Sequence, residues 1–210
     1  MSTLVCFALK EEAAPFRKIA AGKPGTSILI TGIGRENAGT SVHEFLATNS
    51  PKLVLTCGFA GGLNPELKTG DIVFHADQNT EIESALRKTG ARAVQFHCAE
   101  RIAPTVKEKQ ELWRATGADA VEMESQIIRA ICAAQKISSA TVRVILDTAG
   151  EDLPLDFNLI VNAEQEIDFG KLALTLLKSP GKIPALIRLQ KQSKAAAEKL
   201  ADVLVKVIPL

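Results

Sequence analysis

Ala118-Asp119-Ala120-Val121-Glu122-Met123-Glu124-Ser125 begins as a short apolar run and turns, within two residues, into the start of a long helical pattern. Glu122 and Glu124 flank Met123 at that junction. Open α/β sheets place their ligands where a strand end feeds a helix, in the crevice beyond the carboxyl ends of the strands. A methionine can lie flat on a sugar, and a glutamate can accept hydrogen bonds from two vicinal hydroxyls. Acids near the positive end of a helix dipole also occur with no ligand at all, so the stretch alone leaves both readings open. It does set an order, strand then helix, that the flanking sequence repeats.

Outward from it, residues 3–9, 27–31 and 53–57 are continuous apolar runs, the pattern of strands buried on both faces. Residues 140–146 form a β-branched strand pattern that ends at Asp147. Further strand patterns lie within residues 67–74, after a turn, and over 93–97. Helical patterns run from Lys10 to a break near Gly22 and Pro24, and from about 35 to 48. Others span about 79–90, 104–115 with Pro104 in the first turn, and 125 to about 135. From Asp168 onward the pattern is helical to the end, interrupted at Ser179-Pro180-Gly181 and at Pro184. Such alternation predicts a three-layer α/β/α fold around a central mixed, mainly parallel sheet. With no internal repeat, low-complexity tract or linker, the 210 residues read as a single domain, 1–210.

Composition narrows the function classes. Aromatic residues make up 4% of the chain, too few for a stacking surface on single-stranded nucleic acid. Lys plus Arg number 25 against 24 acids, a net charge of +1 that predicts neither a polyanion partner nor a charged membrane surface. Cys6, Cys57, Cys98 and Cys132 have no CxxC spacing and sit mostly in apolar runs, as buried thiols of a reducing compartment do. Residues 1–9 lack the basic start of a signal peptide, and no apolar run approaches the length of a membrane span. A cytoplasmic protein without an integral membrane segment is expected.

Four strand patterns end in unusual residues: Glu12, the glycine-rich Gly58-Phe59-Ala60-Gly61-Gly62, Glu124 and Asp147. If these strands are parallel neighbours, three carboxylates face one crevice beside a flexible glycine loop. Such crowding raises some carboxylate pKa values, which suits general acid–base work near neutrality. Each acid capping its own helix, and the glycines merely turning the chain, is the competing reading. Gly32-Ile33-Gly34-Arg35-Glu36-Asn37 also follows a strand and opens a helix, but Asn37 replaces the third glycine of a dinucleotide fingerprint. The ribose-binding acid expected about 20 residues on is absent, since Leu53, Val54 and Leu55 stand there. No NAD or FAD cofactor is therefore expected; Gly34 and Arg35 remain candidates for an anion or ligand at a helix start. His43 lies in a helical pattern and reads as structural, whereas His75 and His97 end strands near the presumed crevice. Without paired His or carboxylate at metal spacing, no metal is expected.

Taken in order, Ala8-Leu9-Lys10-Glu11-Glu12, Thr31-Gly32-Ile33-Gly34-Arg35, Gly58-Phe59-Ala60-Gly61-Gly62-Leu63, Gly70-Asp71-Ile72-Val73, Ala120–Ser125 and Arg143-Val144-Ile145-Leu146-Asp147 resemble the purine nucleoside phosphorylase/uridine phosphorylase superfamily. The resemblance covers residues 3 to about 157 and is strongest to its methylthioadenosine/S-adenosylhomocysteine nucleosidase branch. Residues 168–189 are similar to the hopanoid-associated branch.

The resemblance implies a nucleoside substrate, a homodimer and a set of roles. Glu12 would position and deprotonate the attacking water, and Asp147 would protonate the purine at N7. Met123 and Glu124, with Glu122 beside them, would hold the ribose. Backbone at Phe59, Ala60 and Gly61 would approach the sugar and base, Ile102 would meet the base through its main chain, and Phe157 would close over the ligand. This is glycoside cleavage through an oxocarbenium-like transition state. Departures from the family pattern are Phe59 in place of a serine near the water, Leu146 in place of a serine before the acid, and Arg101 in place of an aromatic residue on the base. Bacterial phosphorylases carry a phosphate-binding arginine before the glycine loop, where this chain has Val54, Leu55, Thr56 and Cys57. Its absence favours hydrolysis over phosphorolysis, with Arg35 the remaining candidate for phosphate. The 5′-substituted adenosines expected are methylthioadenosine-like or adenosylhopane-like, and a nucleoside-binding protein without catalysis is the alternative.

Overall fold

All five residues of strand β1 (Thr3–Phe7) are buried, and successive side chains go to opposite layers. Val5 and Phe7 share a core with Ala13 and Phe16 of helix α1 (Lys10–Ala20), whereas Leu4 and Cys6 share another with Ala38 and Val42 of α2 (Arg35–Leu46). Helices thus cover both faces, which is why the strand reads as one unbroken apolar run. The structure, a computed structural model, describes residues 2–21, 24–77, 80–160 and 169–208. The helix break near Gly22 and the helix start at Asp168 lie outside the described residues.

The remaining strands are β2 (Thr26–Ile30), β3 (Leu53–Gly62), β4 (Ile72–Ala76), β5 (Arg92–Ala93), β6 (Phe96–Cys98), β7 (Ala120–Glu122) and β8 (Ser138–Asp147). They join an eight-stranded sheet in the order β2-β1-β3-β8-β4-β5, with β7 branching off β3 and β6 pairing β7. The central neighbours β2, β1, β3 and β8 are mutually parallel, while β4 runs antiparallel to β8. The other helices are α3 (Thr80–Lys88), α4 (Val106–Thr116), α5 (Ser125–Ala134), α6 (Phe169–Lys178) and α7 (Ile183–Val207). Ile82 and Leu86 of α3 and Ala196, Leu200 and Leu204 of α7 join α1 in one layer, and Ile128, Ile131 and Cys132 of α5 join α2 in the other. The three-layer fold with a mixed, mainly parallel sheet is therefore the architecture that the alternation implies. Among the described residues, no helix is long and apolar enough to cross a membrane. The cysteines are free; Cys6, Cys57 and Cys132 are buried and Cys98 is half-buried.

Local corrections bear on the site. The glycine-rich residues 58–62 are not a loop but the continuation of β3, with a register shift between Ala60 and Gly61. The strand carrying Glu122 is not a parallel neighbour, because β7 runs antiparallel to β3 and pairs its far end, Val121 opposite Gly61. Residues 93–97 split between β5 and β6, since β5 pairs β4 and β6 pairs β7. Pro104 precedes its helix instead of starting it. Thr105 caps α4 by accepting the N–H of Glu108, and Glu108 reaches back to the N–H of Thr105.

Candidate active site

Glu12 stands in the first turn of α1, just beyond the end of β1. Its Oε2 accepts the N–H of Leu9 (2.9 Å), so the carboxylate does cap its own helix. Its Oε1 leaves the helix and accepts the N–H of Phe59 (2.8 Å) from β3. Burial pushes the Glu12 carboxyl up to about 7; the nearby Arg143 guanidinium and the Phe59 N–H hold it from rising further.

Arg143 is the buried centre of this end of the site. In β8 it lies opposite Gly58 of β3. Gly58 has φ +145°, and a Cβ there would stand 2.6 Å from Glu12 Oε1 and 2.7 Å from Arg143 Nη1. The missing side chain is the space that the ion cluster occupies. Arg143 Nη2 donates to Glu122 Oε2 (2.6 Å), Glu124 Oε2 (3.1 Å) and Thr56 Oγ1 (3.2 Å), and Nη1 donates to the Cys57 carbonyl (3.2 Å). Glu122 also accepts the N–H groups of Glu124 and Ser125 and the Ser125 hydroxyl. Against its burial, Arg143 and these hydrogen bonds hold Glu122 below the usual carboxylate range. Glu122 thus acts inside the protein, as counter-ion and helix cap. Burial raises Glu124, with Arg143 opposing and Glu122 reinforcing.

Asp147 ends β8 beside Gly61. Burial raises its pKa, and an ion pair with Lys109 of α4 opposes that rise. Neither Lys109 nor Arg143 was assigned a role from sequence. A lysine on the stripe that also carries Val106 and Leu112, both half-buried, was the available signal for Lys109.

A cavity of about 460 Å³ opens at these strand ends. Glu12, Phe59, Ala60, Gly61, Ile102, Glu122, Met123, Glu124, Asp147 and Phe157 all line it. The expected placement fails for Gly34, which is not in the lining and whose N–H is spent on Glu124 Oε1 (2.9 Å). It fails also for Arg35, which is outside the cavity and donates to Gln126 Oε1 (2.5 Å). Arg101 lines the cavity but is ion-paired with Glu108. His75 and His97 are not in the lining, and His75 faces Asp77 at 3.8 Å. Ile102 differs from expectation in its main chain: its N–H donates to Asn158 Oδ1 (3.0 Å), and its carbonyl accepts from Asn158 Nδ2 (3.0 Å). Asp156 Oδ1 accepts from the same Nδ2 (2.7 Å) and steadies the amide. Among the described residues, no group of His, Cys, Asp and Glu side chains is arranged to hold a metal ion.

The arrangement can do acid–base chemistry: one carboxyl poised near neutrality, one protonatable carboxyl beside an ammonium, and a third with acceptor capacity in the same cavity lining. Comparison with known proteins gives the family and the fold. The family model of the phosphorylase superfamily matches residues 10–88 and 74–178. The chain is 24% identical over 208 residues to the 5′-methylthioadenosine/S-adenosylhomocysteine nucleosidase of Anoxybacillus flavithermus, covering 75% of this chain and 90% of that protein. It is 44% identical over 46 residues to the enzyme of the same name from a Marinomonas species, a match spanning 22% of this chain and 20% of that protein. Among solved structures, the Campylobacter jejuni 5′-methylthioadenosine/S-adenosyl homocysteine nucleosidase superposes with a TM-score of 0.72 at 16% identity, covering 99% of this chain and 98% of the other. Futalosine hydrolase of Helicobacter pylori gives 0.72 at 13% identity, covering 99% and 97%. At these identities the structures speak to the fold.

Proposed function

The chain belongs to the phosphorylase superfamily, and from that premise we propose that it hydrolyses the N-glycosidic bond of a 5′-substituted adenosine and releases adenine. Glu12 takes a proton from water as the oxygen attacks C1′. The C1′–N9 bond breaks with its electron pair going to the purine, and Asp147 gives N7 the proton that makes the base a neutral leaving group. Glu124 accepts the ribose hydroxyls on its remaining lone pairs, and Met123 packs on the sugar. Phe59, Ala60, Gly61, Ile102 and Phe157 shape the walls.

The observation that carries this reading is the charge of the cavity. Glu11, Glu12, Glu122, Glu124 and Asp147 face Arg101 and Arg143, and both cations are tied to carboxylates. Even with Asp147 protonated as the acid, the carboxylates outnumber the cations, which favours a sugar that turns cationic in the transition state and disfavours a phosphate dianion. With Arg35 outside the lining and Arg101 and Arg143 already paired with carboxylates, the described lining residues offer a phosphate dianion little charge compensation. Leu146, Leu153 and Leu189 add apolar surface to a lining that also carries Gln190 and Ser193, and that surface suits an apolar 5′ group, methylthioadenosine-like or adenosylhopane-like. By resemblance, two copies would assemble as a homodimer in the cytoplasm, and light scattering at twice the chain mass tests the assembly.

Adenine release from methylthioadenosine and from adenosine, each with and without phosphate, tests the proposal. Release independent of phosphate is expected; strict phosphate dependence would make the enzyme a phosphorylase. A second reading, a nucleoside-binding protein without turnover, is motivated by Phe59, Leu146 and Arg101, which depart from the family pattern and all line the cavity. Tight adenosine binding with no release of adenine would select it.

A further inference from the structure

Lys109 is 1% exposed, and each of its three N–H donors has a partner. They are Asp147 Oδ2, the Thr148 carbonyl at 2.9 Å and the Glu151 carbonyl at 2.6 Å. Burying an ammonium this completely is costly, and a methionine or leucine on the same stripe of α4 would pack there without that cost. The partners are all in residues 147–151, the segment that begins with the proposed acid. We propose that Lys109 is the positioning residue of the acid step: it aims Asp147 into the cavity and stabilises the carboxylate left when Asp147 gives its proton to the purine.

This inference rests on the proposed function, in which Asp147 is the acid. Burial alone makes Asp147 a weak acid, because the carboxylate it must become is poorly solvated. Glu151, on the next turn of chain, pushes in the same direction, and Arg188 of α7 offsets Glu151. Lys109 is the cation in direct contact, so it restores part of the acidity that burial removes. No proton leaves Lys109 in this step. The proton moves from Asp147 to N7, the C1′–N9 pair moves into the ring, and Asp147 is recharged from solvent between turnovers.

The test is the pH dependence of kcat on whichever of methylthioadenosine and adenosine is cleaved, for wild type, Lys109→Met, Lys109→Gln and Lys109→Arg. Activity falls at alkaline pH as Asp147 loses its proton. Removing the ammonium should move that alkaline limb upward by about 1 to 3 pH units. The plateau kcat should fall roughly tenfold or more, as the acid weakens. Glutamine can still donate to a carbonyl and so separates charge from loop anchoring; it should shift the limb as methionine does. Arginine should leave the limb in place. A lower plateau with an unmoved limb in the neutral variants would overturn the proposal, since that is what mere damage produces. Failure of both neutral variants to fold, with Lys109→Arg folding, would overturn it too, making Lys109 part of the framework. If the wild type released no adenine, the proposed function would fall by itself, and ¹³C NMR titration of the Asp147 carboxyl would still read Lys109: an unshifted midpoint in Lys109→Met would contradict the proposal.

Discussion

Glu12 and Asp147 are both buried carboxyls at strand ends, yet the protein treats them differently. Glu12 is held by neutral donors, the N–H groups of Leu9 and Phe59, and shares Arg143 at a distance with Glu122 and Glu124. Asp147 has a cation of its own, Lys109. Burial therefore dominates at Glu12 and leaves it near 7, where a carboxylate is basic enough to take a proton from water. At Asp147 burial also raises the pKa, but the cation opposing it is an ammonium in direct contact, which on the proposed role helps the group give its proton away. On the proposed roles, one sheet makes a base and an acid from the same functional group by changing what touches it.

The largest effects should come from neutralising either partner. Asp147→Asn and Glu12→Gln are each expected to lower kcat by about 10²- to 10⁴-fold with the fold intact by circular dichroism. Equal losses would support paired roles; a loss at one only would break the comparison. Next in size is Gly58→Ala, whose Cβ would run into both Glu12 and Arg143. A cost of about 3 kcal/mol is expected, seen as a Tm lower by roughly 5 to 10 °C together with lost activity.

The pH dependence sharpens the contrast. Glu12 must be ionised to act, so kcat/KM should fall as pH drops through about 7, roughly tenfold per unit below it. Its effect on stability has the opposite sense. The folded value, about 7, lies above the ordinary 4.5, so the folded state binds the extra proton between them. This term is fully present below 4.5 and is lost as pH rises through 7, by about 3 kcal/mol in all. Urea melts between pH 5 and 8 should show that slope in wild type and a flatter one in Glu12→Gln. The smallest effect is Asn158→Ala. Freeing the Ile102 main chain should tighten adenine binding about 3- to 10-fold by calorimetry if the base uses those groups, and weaken it if Asn158 only braces them.

Much of the scaffold was legible because its signals are local. The apolar runs and the residues that end them put Glu12, Glu124 and Asp147 at strand ends before any contact was known. What the chain hid depends on partners far along it. Residues 58–62 read as a loop because glycine is a poor strand former, but in β3 the absent Cβ of Gly58 makes room for a guanidinium and a carboxylate. Arg35 stands at a helix start with the look of an anion site, and nothing local shows that Gly34 is spent on Glu124 or that Arg35 pairs with Gln126. The Asn158 amide meets Ile102 across 56 residues and leaves no periodic trace. Lys109 did leave one, a charge on a core-facing stripe, which is a pattern worth reading as a buried partner for an acid.

The most direct measurement is adenine release from methylthioadenosine in phosphate-free buffer by wild type, Glu12→Gln and Asp147→Asn side by side. The account predicts turnover by the wild type and near-complete loss in both variants. Wild-type release that either variant retains in full would contradict the assignment of base and acid, and release only when phosphate is added would contradict hydrolysis.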